Sequence, residues 1–310
     1  MNMVNTPTYI YKELKKRGVK VEILDERYGL MRYYYKRKWH TLVSCVTEDM
    51  PAISRFICEK KSVAEHYARE IGMPVPASQR YEDIDKAVQF IQSQDKIVVK
   101  PISGSGGKGI TIGVSSKTEL KKALARARKV SKAKPVLQQM VAGKDVRILI
   151  INGKFEAAVR RVPASVKGDG KSDVATLISK ENNRPGRSKG KRGRLKVINF
   201  DAAKAYLKRR LSRVPKKGEI VPVVGMGNTS MGGHGEDFTE QLPAKIYRKA
   251  EKFAQALKLP ICGIDIMLDD DTGEYYFIEA NASPGFGPHH HPRYGKSRRV
   301  VEPFVDMLLG

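Results

Sequence analysis

Two apolar runs near the C-terminus predict a β-hairpin, with strands at 261–268 and 275–281. The acidic, glycine-containing stretch between the runs has the composition of a turn. If the hairpin folds symmetrically, Asp265 lies across from Glu279, and Asn281 shares the face of Glu279 because side chains alternate along a strand. The hairpin therefore requires a sheet in which two carboxylates and an amide lie on neighbouring strands.

A divalent cation between the two carboxylates would compensate their charge. Like charges that face each other in a sheet repel, and a carboxylate among apolar residues is costly unless it is compensated. Carboxylate and amide oxygens are ligands that suit Mg²⁺. The pattern predicts a metal site at Asp265, Glu279 and Asn281, which is typical of an enzyme that uses a magnesium nucleotide.

A run of glycine, serine and lysine at 103–109 predicts a flap that covers phosphates. Strand patterns lie on both sides of it, at 97–101 and 110–114, whereas the dinucleotide fingerprint must open a helix. Backbone without side chains can approach phosphate oxygens and donate N–H groups to them. The alternative interpretation is an ordinary glycine-rich hairpin turn.

The composition restricts the class of protein. The chain has 310 residues and a net charge of +25. It contains no apolar run near the roughly 18 residues of a membrane span, and no signal-peptide pattern opens it. Three widely spaced cysteines favour a reducing, cytoplasmic location. The charge indicates an acidic partner, such as nucleic acid, an acidic protein tail or nucleotide phosphates, or else a general solubility bias.

Segment 166–197 has the composition of an exposed loop. It holds 10 Lys and Arg against three Asp and Glu, and it is rich in Gly and Ser. Such a composition predicts a loop that builds no core of its own. The loop could close over an active site and recognise an acidic acceptor.

Three consecutive histidines, His289, His290 and His291, invite a metal assignment. Neighbouring side chains on a loop cannot all face one ion, and a zinc site needs converging ligands. A contact between one of the three histidines and a substrate is therefore favoured over a metal site.

Taken in chain order, these features resemble the ATP-grasp superfamily of carboxylate–amine ligases. The resemblance covers nearly the whole chain. It rests on Glu59-Lys60, on the flap with the strand before it, and on segments 138–147, 263–265 and 278–285. Further strings resemble the ATP-grasp modules of cyanophycin synthetases and bifunctional glutathione synthetases, namely 161–164, 168–172, 228–233 and 291–296.

The resemblance implies an α+β ATP-grasp fold in which the nucleotide is held between two α+β subdomains. We expect a small N-terminal α/β lobe over 1–58 and a small ATP-grasp subdomain with the flap over 59–137. The large ATP-grasp subdomain, over 138–310, would carry the metal site and the basic loop.

The resemblance also implies which residues bind ATP. Two Mg²⁺ ions, with Mn²⁺ as an alternative, would bridge its phosphates at the three metal positions. Lysines would contact the α- and β-phosphates, the flap would cover the β- and γ-phosphates, residues 138–141 would meet the adenine, and a carboxylate would hold the ribose hydroxyls. These residues are Lys60, Lys100, Ser105, Gly106, Gly107, Gln138, Gln139, Val141 and Asp145. The family usually has Glu where Gln138 stands, but Gln can also accept a hydrogen bond from the adenine amine.

The reaction that the resemblance implies is amide-bond formation through an acyl-phosphate. Arg161 and Asn228 would bind the γ-phosphate or the acyl-phosphate, and Arg147 would hold a substrate carboxylate. The expected substrates are amino acids or short peptides, and a homo-oligomer is compatible with this reading. Two alternatives stay open: a ligase that modifies an acidic protein tail or a nucleic-acid-linked group, and a non-catalytic basic protein that binds nucleic acid.

Overall fold

The computed structural model describes residues 6–102, 109–185, 187–188, 195–225 and 232–310. The chain divides into two compact units. The first unit comprises residues 1–59, 145–266 and 279–310, and the second comprises residues 60–144 and 267–278.

The secondary structure of the described residues mixes helices and strands. The helices are α1 (Thr6–Lys16), α2 (Ala52–Glu59), α3 (Lys61–Glu70), α4 (Ile84–Gln94), α5 (Lys117–Arg128), α6 (Val174–Asn182), α7 (Phe200–Leu207), a 3₁₀ helix (Lys208–Ser212), α8 (Ala244–Ala256), α9 (Gly287–His290) and α10 (Val301–Leu309). The strands are β1 (Lys20–Asp25), β2 (Leu30–Tyr35), β3 (Lys38–Val43), β4 (Val46–Thr47), β5 (Ser78–Arg80), β6 (Ile97–Lys100), β7 (Thr111–Val114), β8 (Val136–Gln139), β9 (Lys144–Ile151), β10 (Lys154–Val162), β11 (Ser165–Lys167), β12 (Arg187–Ser188), β13 (Leu195–Lys196), β14 (Ile220–Pro222), β15 (His234–Asp237), β16 (Ile261–Leu268) and β17 (Tyr275–Asn281).

The predicted C-terminal hairpin is confirmed, because β16 and β17 have the predicted bounds and are neighbours in a five-stranded sheet. The strand order of this sheet is β15-β10-β9-β16-β17. Residues 261–266 of β16 are all buried, which is the pattern of a strand covered on both faces. The order places β9 between β10 and β16, so side chains from three adjacent strands can meet on one face.

The first unit also contains an N-terminal antiparallel sheet of order β1-β2-β3-β4. Tyr35 pairs with Lys38 across the β2–β3 connection. The two residues between them, Lys36 and Arg37, have φ values of 46° and 64°. Positive φ at both central residues is the requirement of the type I′ hairpin turn, whose twist matches the twist of the strands.

The expectation that segment 166–197 builds no core is wrong for its described residues. Helix α6 begins after Asp173, whose carboxylate accepts from the backbone N–H of Thr176. The helix buries Val174, Leu177 and Ile178, which belong to a cluster that also holds Ile198, Ala203, Leu207 and Val223. The helical spacing of the three apolar residues was obscured by the basic residues around them, and most of their packing partners lie beyond the segment.

The second unit is built on an antiparallel sheet of order β5-β8-β6-β7. Helices α4 and α5 are capped by Asp83 and Ser116, the residues just before them, whose side chains accept backbone N–H groups of the first turn. The core of the unit joins α4 and α5 to the sheet through apolar residues that include Ile91, Val99, Leu120 and Leu137. The strands predicted beside the glycine run appear as β6 and β7, whereas residues 103–108 lie outside the described part of the chain.

A close approach of two backbone segments in the second unit requires glycine at position 143. Gly143 has φ of +117°, and a Cβ atom there would lie 2.6 Å from the carbonyl carbon of Leu268. Both observations exclude a larger residue without movement of the backbone.

As to membranes, none of the helices in the described ranges has the length and apolar character that a crossing requires.

Candidate active site

Asp265 on β16 lies at the centre of a buried network of charges in the first unit. Its side chain is 1% exposed. Oδ1 accepts from Nε of Arg147 at 2.6 Å, and Oδ2 accepts from Nη2 of Arg147 at 2.8 Å. Nη2 of Arg161 also donates to Oδ2, at 2.7 Å. A bidentate arginine–carboxylate pair fixes the orientation of the carboxylate as well as balancing its charge.

Arg161 joins Asp265 to a second carboxylate, that of Asp145. Nε of Arg161 donates to Oδ1 of Asp145 at 2.8 Å. Asp145 and Arg147 are two residues apart on β9, so they share a face. In the register of the β9–β10 pair, Arg160 lies opposite Val146, which brings Arg161 next to Asp145. Two arginines and two carboxylates therefore alternate across three strands.

The two carboxylates of this network have opposite pKa shifts. Burial raises the pKa of Asp145 to about 6; the charge of Arg161 opposes this shift and that of Asp265 adds to it. Burial would also raise the pKa of Asp265, but the charges of Arg147 and Arg161 outweigh it and the pKa is lowered. Asp265 is therefore the more acidic of the two carboxyl groups.

Glu279 and Asn281 on β17 complete the set of oxygen-bearing groups. Glu279 contributes to the lowered pKa of Asp265, so its carboxyl group lies near that of Asp265. The Nδ2 atom of Asn281 is buried and has no hydrogen-bond partner. Two carboxyl groups and the side-chain oxygen of Asn281 are ligand types that fit a hard divalent cation.

The three candidate metal ligands, Asp265, Glu279 and Asn281, include one amide, so they do not form a cluster made only of acidic and histidine side chains. Within the described ranges, no group of three His, Cys, Asp or Glu side chains is arranged to hold a metal ion. The neighbouring guanidinium groups of Arg147 and Arg161 compensate the carboxylate charge.

A second buried cluster, in the second unit, joins Lys100, Gln138 and Glu65. Nζ of Lys100 donates to Oε1 of Gln138 at 2.9 Å and lies 3.7 Å from Oε1 of Glu65. Nε2 of Gln138 donates to the same atom of Glu65 at 3.0 Å. All three residues are at most 5% exposed. Sequence reasoning missed Glu65, although a buried lysine needs an acidic partner.

Glu65 gives a physical reason for the departure from the family at Gln138. The amide accepts from the lysine with its oxygen and donates to Glu65 with its nitrogen. A glutamate at this position would place a second carboxylate beside Glu65 and would have no N–H to donate. The carboxylate that accompanies Lys100 comes from α3 in this chain.

The other residues that the sequence predicts to bind the nucleotide lie in different parts of the chain. Lys60 lies in extended backbone between α2 and α3. The side chain of Gln139 accepts from the backbone N–H of Ala77 at 3.2 Å, so it serves the local structure, and Val141 is half-buried after β8. The remaining expected positions lie outside the described residues: Ser105, Gly106, Gly107 and Asn228.

The three consecutive histidines have three different environments. His290 stacks on Tyr9, with ring centroids 4.5 Å apart, and its Nε2 accepts from the backbone N–H of Val301. His291 is exposed. His289 is 2% exposed, and neither of its ring nitrogens has a hydrogen-bond partner. Burial, together with the charge of Arg147, lowers the pKa of His289 to about 3.

Comparison with known proteins identifies relatives of this chain. The family model of the ATP-grasp domain of prokaryotic glutathione synthetase matches residues 67–184. Cyanophycin synthetase of Nostoc sp. is 31% identical over 313 residues, which cover 97% of this chain and 34% of that protein. The bifunctional glutathione biosynthesis protein of Clostridium perfringens is 30% identical, over 95% of this chain and 40% of that protein.

A solved structure has the same fold. The crystal structure of a bifunctional glutathione synthetase from Pasteurella multocida superposes with a TM-score of 0.72 at 28% identity, over 99% of this chain and 43% of that one. The fold of this chain is therefore the ATP-grasp fold, as its motifs predicted. The chain belongs to the ATP-grasp superfamily. It spans about a third of the length of the cyanophycin synthetases that it matches, 34% of the protein from Nostoc.

Proposed function

We propose that this chain is an ATP-dependent carboxylate–amine ligase. ATP would phosphorylate a carboxylate and leave as ADP, and an amine would then attack the acyl-phosphate to form an amide and release phosphate. The observation that carries this proposal is the facing pair of Asp265 and Glu279, with Asn281 beside it and two arginines around it. Two of the relatives named above, from Nostoc and from Pasteurella multocida, are synthetases, which supports the same reaction class.

Asp265, Glu279 and Asn281 would hold the metal, which we propose to be two Mg²⁺ ions, with Mn²⁺ as an alternative. When bound, the metal would act as a Lewis acid that neutralises charge on the phosphates. The protein holds the carboxylate of Asp265 ready for this role, because Arg147 and Arg161 keep it ionised and oriented. Pre-oriented charges need no rearrangement at the moment of reaction.

Arg161 and Arg147 would supply positive charge to the reacting groups. Arg161 would contact the γ-phosphate or the acyl-phosphate, and Arg147 would hold the carboxylate of a substrate. Both guanidinium groups are fixed by carboxylates, and their side chains are 19% and 17% exposed. Arg161 engages Oδ1 of Asp145, and the other oxygen of Asp145 would accept from the ribose hydroxyls. We also propose Asn228 for the phosphoryl group.

The second unit would contribute phosphate and adenine contacts. Lys100 would donate to the α- or β-phosphate, and its pairing with Glu65 and Gln138 limits where its amine can lie. Lys60 would serve the same phosphates, and Ser105, Gly106 and Gly107 would cover the β- and γ-phosphates. Gln138 would accept from the adenine amine, with Gln139 and Val141 contributing backbone groups.

We propose amino acids or short peptides as substrates, and an acidic acceptor as the second candidate. Residues 164–225, with the small core around α6, hold 17 Lys and Arg against five Asp and Glu. That charge favours a polyanion, either an acidic protein tail or a nucleic acid. A steep loss of activity with added salt would favour a polyanionic acceptor, whereas a gel shift without ATP consumption would favour a non-catalytic nucleic-acid-binding protein.

Cytoplasmic location and oligomeric state stay predictions. The three cysteines are unpaired, and free thiols are the usual state in a reducing compartment.

ADP release tests the ligase proposal directly. Amino acids added singly and in pairs, with ATP and Mg²⁺, should raise ADP release, and mass spectrometry should find an amide product. Asp265→Asn and Glu279→Gln should both lose turnover. They should also lose the rise in Tm that Mg²⁺ gives in the presence of ATP, a readout that does not depend on the acceptor.

The control variant is Asp271→Asn, which makes the same chemical change on the exposed turn of the same hairpin. It should keep both turnover and the Mg²⁺-dependent rise in Tm. Full turnover in Asp265→Asn and Glu279→Gln would show that these residues do not bind the metal.

A further inference from the structure

The N-terminal sheet β1–β4 has one buried face and one exposed face. Met31 and Leu42 lie on the buried face, since both are buried and they pair with each other across β2 and β3. Lys20 lies opposite Tyr34 in the β1–β2 pair, and Tyr34 lies opposite Trp39 in the β2–β3 pair. Because side chains alternate along a strand, these three residues share the other face, which we call the outer face.

The outer face combines aromatic rings with cations. Arg32, two residues before Tyr34 on β2, lies opposite Glu22 on β1. The guanidinium group of Arg32 lies 4.3 Å from the centre of the Trp39 ring, and the amine of Lys20 lies 5.2 Å from it. The rings of Tyr34 and Trp39 meet edge to face, with centroids 5.4 Å apart. Two rings and two cations thus form one continuous group.

Most of this group is accessible from solvent. Tyr34 is 43% exposed, and the side chains of Lys20 and Arg32 are 69% and 40% exposed. Trp39 is half-buried, with the guanidinium group over its ring. A partner can therefore contact the ring of Tyr34 and the guanidinium group of Arg32 directly.

The charge around the outer face is positive. The β2–β3 turn at its edge adds three exposed cations, Lys36, Arg37 and Lys38. Glu22 supplies a negative charge, which pairs with Arg32 at 2.6 Å and lies 3.8 Å from the amine of Lys20. Segment 20–43 as a whole holds six Lys and Arg against three Asp and Glu. The charge favours a partner that carries negative charge.

The aromatic rings restrict the chemistry of that partner further. Single-stranded nucleic acid offers phosphates to the cations, and it offers base faces that stack on aromatic rings and on guanidinium groups. An acidic peptide would satisfy the cations alone, and a duplex keeps the faces of its bases inside its own stack. RNA-recognition sheets likewise stack bases on the aromatic side chains of one exposed face.

We propose that the outer face of the N-terminal sheet binds single-stranded nucleic acid. One base stacks on the ring of Tyr34, and a neighbouring base stacks on the guanidinium group of Arg32. Lys20 and the cations of the β2–β3 turn contact the phosphates. None of these residues belongs to the candidate active site, so the inference does not depend on the proposed ligase activity.

Binding of a labelled single strand to the full chain tests the proposal. The probe is an oligonucleotide of about 12 nucleotides, within the range of site sizes of single-strand binding domains. Its fluorescence anisotropy should show binding at micromolar concentration near physiological ionic strength. The chain has one tryptophan, Trp39, and its emission should be quenched by the oligonucleotide as bases approach the ring, but not by polyglutamate.

Substitutions on the outer face should act in opposite directions. Tyr34→Leu should weaken binding of the single strand at least about fivefold, since it removes the stacking of one base, and it should leave binding of a duplex unchanged. Tyr34→Phe keeps the ring and should bind like the original chain. Glu22→Gln should strengthen binding, because it removes the negative charge beside Arg32 and Lys20. Damage to the fold would not produce effects of opposite sign.

The salt dependence of binding identifies the phosphate contacts. Arg37→Gln should reduce the slope of the logarithm of affinity against the logarithm of salt concentration by about 0.7, the value for one phosphate contact of a single strand. A purely structural role of Arg37 would not change this slope.

Tyr206→Leu is the matched control. Tyr206 is also exposed, and the guanidinium group of Arg210 lies 5.5 Å from the centre of its ring, but the residue belongs to the basic region 164–225. The substitution should leave binding of the single strand unchanged. Circular dichroism and the Tm show that each variant is folded.

Four results would overturn the proposal. The first is that no single strand binds at micromolar concentration, and the second is that Tyr34→Leu and Glu22→Gln both bind with unchanged affinity. Weaker binding in Tyr206→Leu, with none in Tyr34→Leu, would assign the nucleic acid to region 164–225 instead. Displacement of the single strand by polyglutamate, as effective as displacement by unlabelled oligonucleotide, would show that the face recognises acidic peptides.

Discussion

Acidification should destabilise the first unit through His289. The side chain is 2% exposed and neutral, with its pKa lowered to about 3 by burial. In the unfolded chain the pKa of a histidine is about 6.5. As the pH falls below 6.5, the unfolded state takes up a proton that the folded state does not, so the stability that the neutral histidine provides at neutral pH is lost.

The magnitude follows from the two pKa values. Each pKa unit corresponds to about 1.36 kcal/mol. Between pH 7 and pH 5 the unfolded histidine becomes almost fully protonated while His289 stays neutral, so folding should lose about 2 kcal/mol from this residue alone. Because the pKa of the folded state lies well below 5, His289 binds almost no proton over this range.

Comparison with His289→Phe isolates this contribution from all other titrating groups. The chain has one tryptophan, Trp39, which lies in the first unit, so its fluorescence follows the urea unfolding of that unit. The difference in unfolding free energy between the two proteins should shift by about 2 kcal/mol between pH 7 and pH 5, in favour of the phenylalanine variant at low pH. His66→Phe, at an exposed position, is the control. A difference that stays constant over this range for His289→Phe would refute the reasoning.

Two further substitutions test contacts at the candidate site. Gly263→Ala would place a Cβ atom 2.8 Å from Cβ of Pro284; because that ring cannot yield easily, urea unfolding should show a loss of about 1–3 kcal/mol. Glu65→Gln removes the carboxylate 3.7 Å from the buried amine of Lys100, and thermal unfolding followed by circular dichroism should show a loss of about 3 kcal/mol.

Each of these substitutions has a matched control. Gly285→Ala adds a Cβ atom that meets nothing within 4 Å, and it should leave stability nearly unchanged. Glu70→Gln lies on the same helix as Glu65 but is exposed. Equal effects of a substitution and its control would show that the contact does not have the strength assigned to it.

The C-terminal hairpin of β16 and β17 could be predicted from the sequence because its contacts are local. Asp265 and Glu279 are separated by one turn, and the alternation of a strand fixes their faces. The approach of Arg147 to Asp265 spans 118 residues. No local pattern encodes such a contact, and neither the spacing nor the resemblance to a family predicted it.

The cluster of Lys100, Gln138 and Glu65 marks the limit of prediction from the sequence. Its members come from three elements, and Glu65 and Gln138 are 73 residues apart. In the sequence Glu65 looks like one exposed acid of a charged helix. Its role becomes visible only when the sheet buries Lys100 and leaves a charge that needs a partner.

Arg161 is shared by two carboxylates, since its guanidinium group pairs with both Asp145 and Asp265. A substitution of Asp145 therefore alters the surroundings of Asp265, and the reverse also holds. The effects of the two substitutions are not independent. Residues that share a partner in this way commonly show interaction energies of about 0.5–3 kcal/mol. A loss of activity in an Asp145 variant would therefore combine the loss of the proposed ribose contact with a change around Asp265. A double-mutant cycle is needed to separate these two contributions.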